Sequence, residues 1–165
     1  MSDTFKNTDQ YAATADELWT MLSDQSYWEG KYEAQGATNL TWIEFDASDN
    51  ALTVSSTRDV AANLPGFAKR VIGEKAAVTQ TEKWTRDGER LSCAIEITTH
   101  GAPGGTHGTM SVEPKGDGCT WSANFETKIP IPLLGHKVEH LMHDETAETF
   151  KVEKEFNDHW LTAKR

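Results

Sequence analysis

Three histidines lie at helical spacing in the stretch HKVEHLMH. His136, His140 and His143 are four and three residues apart, so on an α-helix their side chains fall within about 60° of one another. Imidazoles four residues apart on a helix are ligands in zinc sites, and Glu139 or Asp144 offers an additional oxygen ligand. The stretch is therefore compatible with metal binding if it is helical.

Two other interpretations of the same stretch compete with a metal site. One straight helix rarely directs three imidazoles to a single tetrahedral centre, and no pattern brings the outside donors His100 and His107 close to it. Imidazoles at the entrance of a cavity would instead make ligand entry depend on pH. We favour the simplest interpretation, a solvated or cavity-rim face, and we expect neither a bound metal nor a cofactor.

Polar residues also interrupt an apolar alternation in the segment VTQTEKW. The alternation that directs Val78 and Trp84 toward the interior directs Gln80 and Glu82 there as well. A buried carboxylate without a neighbouring cation can act as a general acid or base. Because the sequence places no second catalytic group beside Glu82, we favour a protein without enzymatic activity.

Arg58 is a candidate partner for these polar residues. The alternation that begins at Leu52 and Val54 directs Arg58 toward the same interior. There it either forms a partly buried ion pair with Glu82 or holds the carboxylate of a ligand. A third arrangement leaves both side chains at strand ends in water.

The elements that must position these residues begin with a short strand over residues 4–11 and two helices. Thr14-Ala-Asp-Glu17 has the form of a capping box, which predicts the start of the first helix. The second helix is predicted over residues 26–35, and Gly36 can supply its left-handed C-terminal cap.

From residue 37 to residue 129 the apolar pattern has a period of two, which predicts six antiparallel strands. The pattern breaks at turn-forming residues: Ser48-Asp-Asn50, Asp87-Gly88, Ala102-Pro-Gly-Gly105 and Gly116-Asp-Gly118. Residues 59–74 form a connection too long for a hairpin, which predicts a loop containing a helical turn. Residues 136–163 contain no helix breaker and predict one long C-terminal helix.

This order of elements predicts an α+β fold in which a curved seven-stranded antiparallel sheet wraps around the C-terminal helix. The helix covers the apolar face of the sheet, and a gap between them would form an interior cavity. Inward strand positions and the inner helix face predict the residues that contact a ligand there: Arg58, Gln80, Glu82, Trp84, Ile95, Ile97, Trp121, Phe125, Leu141, Met142, Glu145 and Thr149.

The length of the chain predicts one domain, residues 1–165. Its composition and charge limit which partners it can bind. The formal net charge is −10 without a cluster of basic residues, which disfavours nucleic acid. Cys93 and Cys119 lack metal-site or redox-motif spacing, so we expect reduced, buried thiols.

The sequence contains no signal peptide and no apolar run of membrane-spanning length, which predicts a cytoplasmic protein without stable membrane insertion. The oligomeric state stays open.

Several motifs carry a resemblance to a known family: Ser56-Thr-Arg-Asp59, Leu64-Pro-Gly66, Thr81-Glu-Lys-Trp84, Gly101-Ala-Pro-Gly104 with Gly108-Thr109, and Ile131-Pro-Leu-Leu-Gly-His-Lys-Val-Glu139. They look like a bacterial branch, catalogued as a domain of unknown function, of the START-like (SRPBCC) helix-grip superfamily. This superfamily includes birch-pollen-allergen-like proteins, polyketide cyclases and lipid-transfer domains. The resemblance covers nearly the whole chain and implies a pocket for an apolar or amphipathic molecule, but no particular chemistry.

Three functional hypotheses follow. We favour a carrier or sensor that holds a small hydrophobic or amphipathic molecule, lipid-like or polyketide-like, with Arg58, Gln80 or Glu82 as polar anchors. The second hypothesis is an enzyme of the cyclase or hydrolase type that uses Glu82 in a dry pocket. The third is a small interaction domain with a solid interior and no ligand.

Overall fold

The computed structural model describes residues 3–61, 75–101, 104–130 and 135–164. The elements follow the predicted order: β1 (Asp3–Tyr11), α1 (Ala15–Leu22), α2 (Gln25–Ala34), β2 (Thr38–Ala47), β3 (Ala51–Ala61), β4 (Lys75–Asp87), β5 (Arg90–Thr99), β6 (Gly105–Lys115), β7 (Gly118–Lys128) and α3 (Gly135–Ala163). The predicted helical turn in the long connection falls on residues 62–74, outside the described residues. Within the described ranges, no helix is long and apolar enough to cross a membrane.

The first helix begins at the predicted capping box, and the second lies within one residue of its predicted range. At the start of α1, the Glu17 backbone N–H donates to Thr14 Oγ1 and the Thr14 backbone N–H donates to Glu17 Oε1, both over 3.1 Å. This reciprocal pair is the predicted capping box, which satisfies N–H groups that a helix start leaves unpaired. Gly36, with φ of +82°, follows α2 in the left-handed region that favours glycine.

The seven strands form one antiparallel sheet in the order β1-β7-β6-β5-β4-β3-β2. Strands β2 to β7 are a meander, and β1 joins its far edge by pairing with β7. Side chains of β5 and β7 alternate between buried and less buried along most of their length. The sheet therefore buries one face, which confirms the predicted helix-grip architecture.

Strand register divides the buried face of the sheet into two regions. We name the first the packed end: Leu52, Trp84, Leu91, Cys93, Val112 and Trp121. These residues share a core cluster with Leu18, Leu22, Tyr27 and Trp28 of α1 and α2. We name the second the hollow end: Val78, Gln80, Glu82, Ile95, Ile97 and Thr106, which pair across β4, β5 and β6.

The long helix α3 lies against α1, α2, β1 and β7. Asn157 is fully buried and ties its C-terminal half in place: Tyr27 Oη donates to Asn157 Oδ1 over 2.7 Å, and Asn157 Nδ2 donates to Tyr11 Oη over 3.1 Å. Near the start of the helix, Val138 and Glu139 are fully buried, and Glu139 Oε2 accepts a hydrogen bond from the Ile129 backbone N–H over 2.6 Å.

The prediction that the three histidines form a solvated or cavity-rim face is wrong for His143, which is buried and is not among the described lining residues. His136 and His140 are exposed, but His143 is buried, with its ring centroid 5.9 Å from that of Phe5 on β1. The reason is the position of β1, which pairs with β7 and brings Phe5 against this turn of α3. The histidines therefore do not share one environment.

Candidate ligand-binding cavity

A cavity of about 250 Å³ lies between the hollow end of the sheet, α2 and α3. Its apolar walls come from the strands and from α3: Val60, Val78, Ile95, Ile97, Met110, Phe125, Met142 and Phe150. Its polar lining includes both charged and neutral side chains: Lys31, Tyr32, Gln35, Arg58, Gln80, Glu82, Thr99, Thr106, Glu145, Thr146, Thr149 and Glu153. The cavity is thus an apolar space with several polar groups on its walls.

A chain of three buried side chains runs along β3 and β4 on the cavity wall. Arg58 Nη2 donates to Gln80 Oε1 over 2.8 Å, and Gln80 Nε2 donates to Glu82 Oε2 over 2.5 Å. The other carboxylate oxygen, Glu82 Oε1, accepts from Trp84 Nε1 over 2.9 Å. The ion pair between Arg58 and Glu82, which the sequence offered as one arrangement, is therefore replaced by a bridge through the Gln80 amide.

Arg58 keeps unused hydrogen-bonding capacity. Its side chain is buried, and its Cζ lies 4.1 Å from the centroid of the Tyr32 ring, a cation–π contact that uses none of its N–H groups. Its Nε and Nη1 atoms, which together carry three N–H groups, are buried and have no hydrogen-bond partner in the described part of the chain. A buried donor without a partner lowers the stability of the fold by about 1–3 kcal/mol. A ligand that accepts hydrogen bonds from Arg58 would recover this free energy.

A second cation on the cavity wall, Lys31 of α2, already has partners within the protein. Its Nζ lies 3.2 Å from Glu153 Oε1 on α3 and 4.0 Å from the centroid of the Trp28 ring. Burial acts to lower the pKa of Lys31, but the neighbouring Glu153, Tyr32 and Glu82 together outweigh burial, and the pKa lies above its ordinary value. Burial raises the pKa of Glu153, and the neighbouring Lys31 opposes that rise. Lys31 is therefore a charged partner of Glu153.

The sheet side of the cavity depends on a glycine in β6. A Cβ at Gly108 would lie 2.7 Å from Phe125 Cδ1, closer than real side chains approach, so the Phe125 ring rests directly on the β6 backbone. Next to it, Thr106 Oγ1 and Thr127 Oγ1 share a hydrogen bond of 2.8 Å. On α3, Thr149 Oγ1 donates to the Glu145 carbonyl oxygen over 2.9 Å, which leaves the exposed Thr149 at the cavity rim.

Most of the residues predicted to contact a ligand line this cavity: Arg58, Gln80, Glu82, Ile95, Ile97, Phe125, Met142, Glu145 and Thr149. Trp84 and Trp121 point inward as predicted, but they belong to the packed end, where their ring centroids lie 5.3 Å apart in an edge-to-face contact. They fill the core and are not part of the described lining, and neither is the half-buried Leu141. The alternation predicted which way the strand residues point, but it did not predict which end is hollow.

Sequence reasoning missed three lining residues whose positions carried a signal. Glu153 lies four residues beyond Thr149, so it continues the helical spacing that selected Glu145 and Thr149. Lys31 and Tyr32 lie three to five residues after the aromatic pair Tyr27-Trp28 on α2, a spacing that predicts a lysine held over aromatic rings.

The histidines are not assembled into a metal site in the residues that the structure describes. No group of three or more His, Cys, Asp or Glu side chains suited to a metal ion occurs among them. The possible outside donor His100 lies beside β4, where its Nε2 is 2.7 Å from Thr79 Oγ1. His107, the other possible donor, is exposed on β6.

Solved structures of other proteins share this fold. The protein TTHA0849 from Thermus thermophilus is 14% identical, with 98% of each chain covered and a TM-score of 0.67. The ZhuI aromatase/cyclase from Streptomyces sp. R1128 is 12% identical, with 98% of this chain and 94% of that chain covered and a TM-score of 0.65. A START superfamily protein from Mycobacterium smegmatis is 12% identical, with coverages of 98% and 99% and a TM-score of 0.56. At these identities the likeness establishes the START-like fold.

Proteins with similar sequences match nearly the whole chain. The uncharacterized protein Rv0481c of Mycobacterium tuberculosis is 22% identical over 172 aligned positions, which cover 98% of each chain. Residues 6–161 match the model of the family described as "Protein of unknown function (DUF2505)". The chain therefore belongs to the DUF2505 family and has the START-like, helix-grip fold.

Proposed function

We propose that this protein binds a small amphipathic molecule in the cavity between the hollow end of the sheet and α3. The observation that carries the proposal is Arg58, a buried guanidinium on the wall of an otherwise largely apolar space, with N–H groups that have no partner among the described residues. Ligand pockets typically combine apolar walls with a few polar groups that fix orientation. A ligand oxygen at Arg58 would satisfy these buried donors.

The volume of the cavity favours a compact ligand. About 250 Å³ lies just below the 300–1,000 Å³ typical of pockets that take drug-sized molecules. Because α3 carries half-buried or exposed Glu145, Thr146 and Thr149 along the same wall, the ligand would meet polar groups at its outer end. A short acyl chain or a small ring system fits this description better than a long-chain lipid.

The hydrogen bonds of the Glu82 carboxylate support a binding function better than a catalytic one. Both of its carboxylate oxygens accept hydrogen bonds from neighbouring side chains, Gln80 and Trp84, and the Cys93 thiol lies 3.9 Å from Oε1. A general base needs an oxygen that can reach a proton of the substrate. The fold of the ZhuI aromatase/cyclase is compatible with either role, so the fold does not decide between them.

The proposal is tested with a neutral, environment-sensitive probe, N-phenyl-1-naphthylamine, added to purified protein from which bound lipids have been extracted. We expect saturable fluorescence enhancement in the wild type. Ile97→Phe places a ring in the cavity and should weaken probe binding about tenfold or more, because the filled space no longer accepts the ligand.

The matched control is Thr98→Phe, which adds a ring at the next residue of β5, on the exposed face of the sheet. We expect it to leave probe affinity unchanged. Absence of saturable binding in the wild type, or equal affinity in wild type and Ile97→Phe, would contradict the proposal. Native mass spectrometry of gently purified protein, compared with a denatured sample, would identify a molecule that copurifies.

A further inference from the structure

We propose that the cavity selects a monoanionic amphipath, such as a compact carboxylic acid, and that Gln80 determines this selectivity by keeping Glu82 away from Arg58. This inference rests on the proposed function of the cavity. It adds the charge of the ligand and assigns a specificity-determining role to a residue that is itself neutral.

The first step is the distribution of charge on the cavity wall. Four buried or largely buried charged side chains line it: Lys31, Arg58, Glu82 and Glu153. Lys31 and Glu153 form an ion pair of 3.2 Å, which leaves no net charge at that position. Among the described residues, no carboxylate lies within ion-pairing distance of Arg58. The nearest one in its hydrogen-bond network is Glu82, which is connected to Arg58 through Gln80.

The second step is the orientation of the Gln80 amide. An arginine offers only donors and an ionised carboxylate offers only acceptors, so a side chain between them must present an oxygen to one and an N–H to the other. Gln80 does this with Oε1 toward Arg58 and Nε2 toward Glu82. Its amide therefore has one favourable orientation, and it stands between the two opposite charges.

The consequence for a ligand is that the guanidinium remains available. A carboxylate in direct contact with Arg58 would occupy the N–H groups that a ligand anion needs. With Gln80 in place, Nε and Nη1 of Arg58 stay without a partner in the described part of the chain. The ligand carboxylate would accept charge-assisted hydrogen bonds from these N–H groups, and such bonds are stronger than those that a neutral oxygen accepts.

The same distribution favours a monoanion over a dianion such as a phosphate monoester. One guanidinium is available, because Lys31 is already paired with Glu153, while the carboxylates of Glu82 and Glu145 lie on the same cavity wall. A second negative charge on the ligand would have no cation to meet it and would be repelled by these carboxylates.

The experiment compares octanoate with octanamide, which has a similar shape but no charge, by calorimetric titration or displacement of N-phenyl-1-naphthylamine. We expect the wild type to bind octanoate about tenfold more tightly or better, because hydrogen bonds to charged groups are stronger than neutral ones. Arg58→Met should remove this preference while octanamide binding persists.

Gln80→Glu tests the role of the spacer, because it offers Arg58 a carboxylate in place of the amide oxygen. We expect it to lose the preference for octanoate. The matched control is Gln10→Glu on the exposed side of β1, which adds the same charge at a residue outside the described cavity lining and should keep the preference. Thermal melts verify that each variant is folded, and the wild-type comparison of the two ligands needs no variant at all.

The outcomes separate the two proposals. If neither ligand nor the neutral probe binds, the proposed function itself fails. If the probe binds and the wild type does not distinguish octanoate from octanamide, cavity binding stands and anion selectivity is overturned. If the wild type prefers octanoate but Gln80→Glu retains that preference, the assignment to Gln80 is overturned.

Discussion

The packed end and the hollow end of the sheet are made by the same strands but differ in what covers them. On β4, Trp84 is 1% exposed within the packed end, while Gln80 and Glu82 line the cavity only four and two residues earlier. Large side chains of α1 and α2, such as Leu18 and Trp28, share the core cluster of the packed end. The difference shows that the covering elements decide whether an inward-facing strand builds core or cavity.

Buried polar groups differ between the two ends as well. Near the packed end, Tyr11, Tyr27 and Asn157 are neutral and hydrogen-bond to one another. At the hollow end, Arg58 is charged and has N–H groups without partners among the described residues. Polar groups that stabilise a fold are satisfied within it, so the unsatisfied donors point to binding.

The largest expected effect is at the packed end. Trp84→Ala should lower the free energy of unfolding by about 3–5 kcal/mol, because it removes a fully buried indole and leaves a cavity. Equilibrium urea denaturation measures the loss. Trp42→Ala, on the edge strand β2, removes the same side chain from a half-buried position and should cost clearly less. Equal losses would show that the two positions do not differ in packing.

A smaller loss is expected where α3 is tied to the rest of the fold. Asn157→Ala leaves the hydroxyl groups of Tyr11 and Tyr27 without their partner, at about 1–3 kcal/mol for a buried unsatisfied group. The control is His159→Ala, an exposed position two residues further along the same helix, which should change stability by less than about 0.5 kcal/mol. Denaturation midpoints of the two variants would coincide if the Asn157 hydrogen bonds contributed nothing.

Adding volume should separate the two ends directly. Val112→Phe introduces a ring into the packed end and should destabilise the protein by about 1–3 kcal/mol. Ile97→Phe introduces a ring beside existing space and should cost less. Thermal or urea denaturation of both variants provides the comparison. A larger loss for Ile97→Phe than for Val112→Phe would mean that the hollow end tolerates added volume no better than the packed end.

Local patterns predicted the fold because each depends on neighbouring residues. The capping box at Thr14 and Glu17 and the alternation that turns Glu82 inward are both set by spacing along the chain. The hollow end could not be located in this way, because it depends on which helix covers which strand. His143 was misassigned for the same reason, since its burial comes from Phe5, which is far away in sequence.

The pair of Lys31 and Glu153 on the cavity wall should make the stability of the fold depend on pH. Burial raises the pKa of Glu153 above its ordinary value of 4.5, against the effect of Lys31. Between 4.5 and the raised pKa, the folded state holds a proton that the unfolded chain has released, so this residue makes stability fall as pH rises. Burial acts to lower the pKa of Lys31, but Glu153, Tyr32 and Glu82 together outweigh burial and raise this pKa above 10.5. The stabilisation that Lys31 provides is therefore complete below 10.5 and is lost as pH rises through its folded-state pKa.

These two contributions can be separated by measuring urea midpoints from about pH 4 to about pH 11. Relative to Glu153→Gln, the wild type should gain stability as pH is lowered toward 4.5, since only the wild type takes up the additional proton on folding. Relative to Lys31→Met, it should lose stability above 10.5. Asn157→Ala, which removes a neutral group, should follow the wild-type pH profile through the acidic range. Parallel profiles for wild type and Glu153→Gln would mean that the pair does not titrate with folding, and the electrostatic contrast between the two ends would then reduce to Arg58 alone.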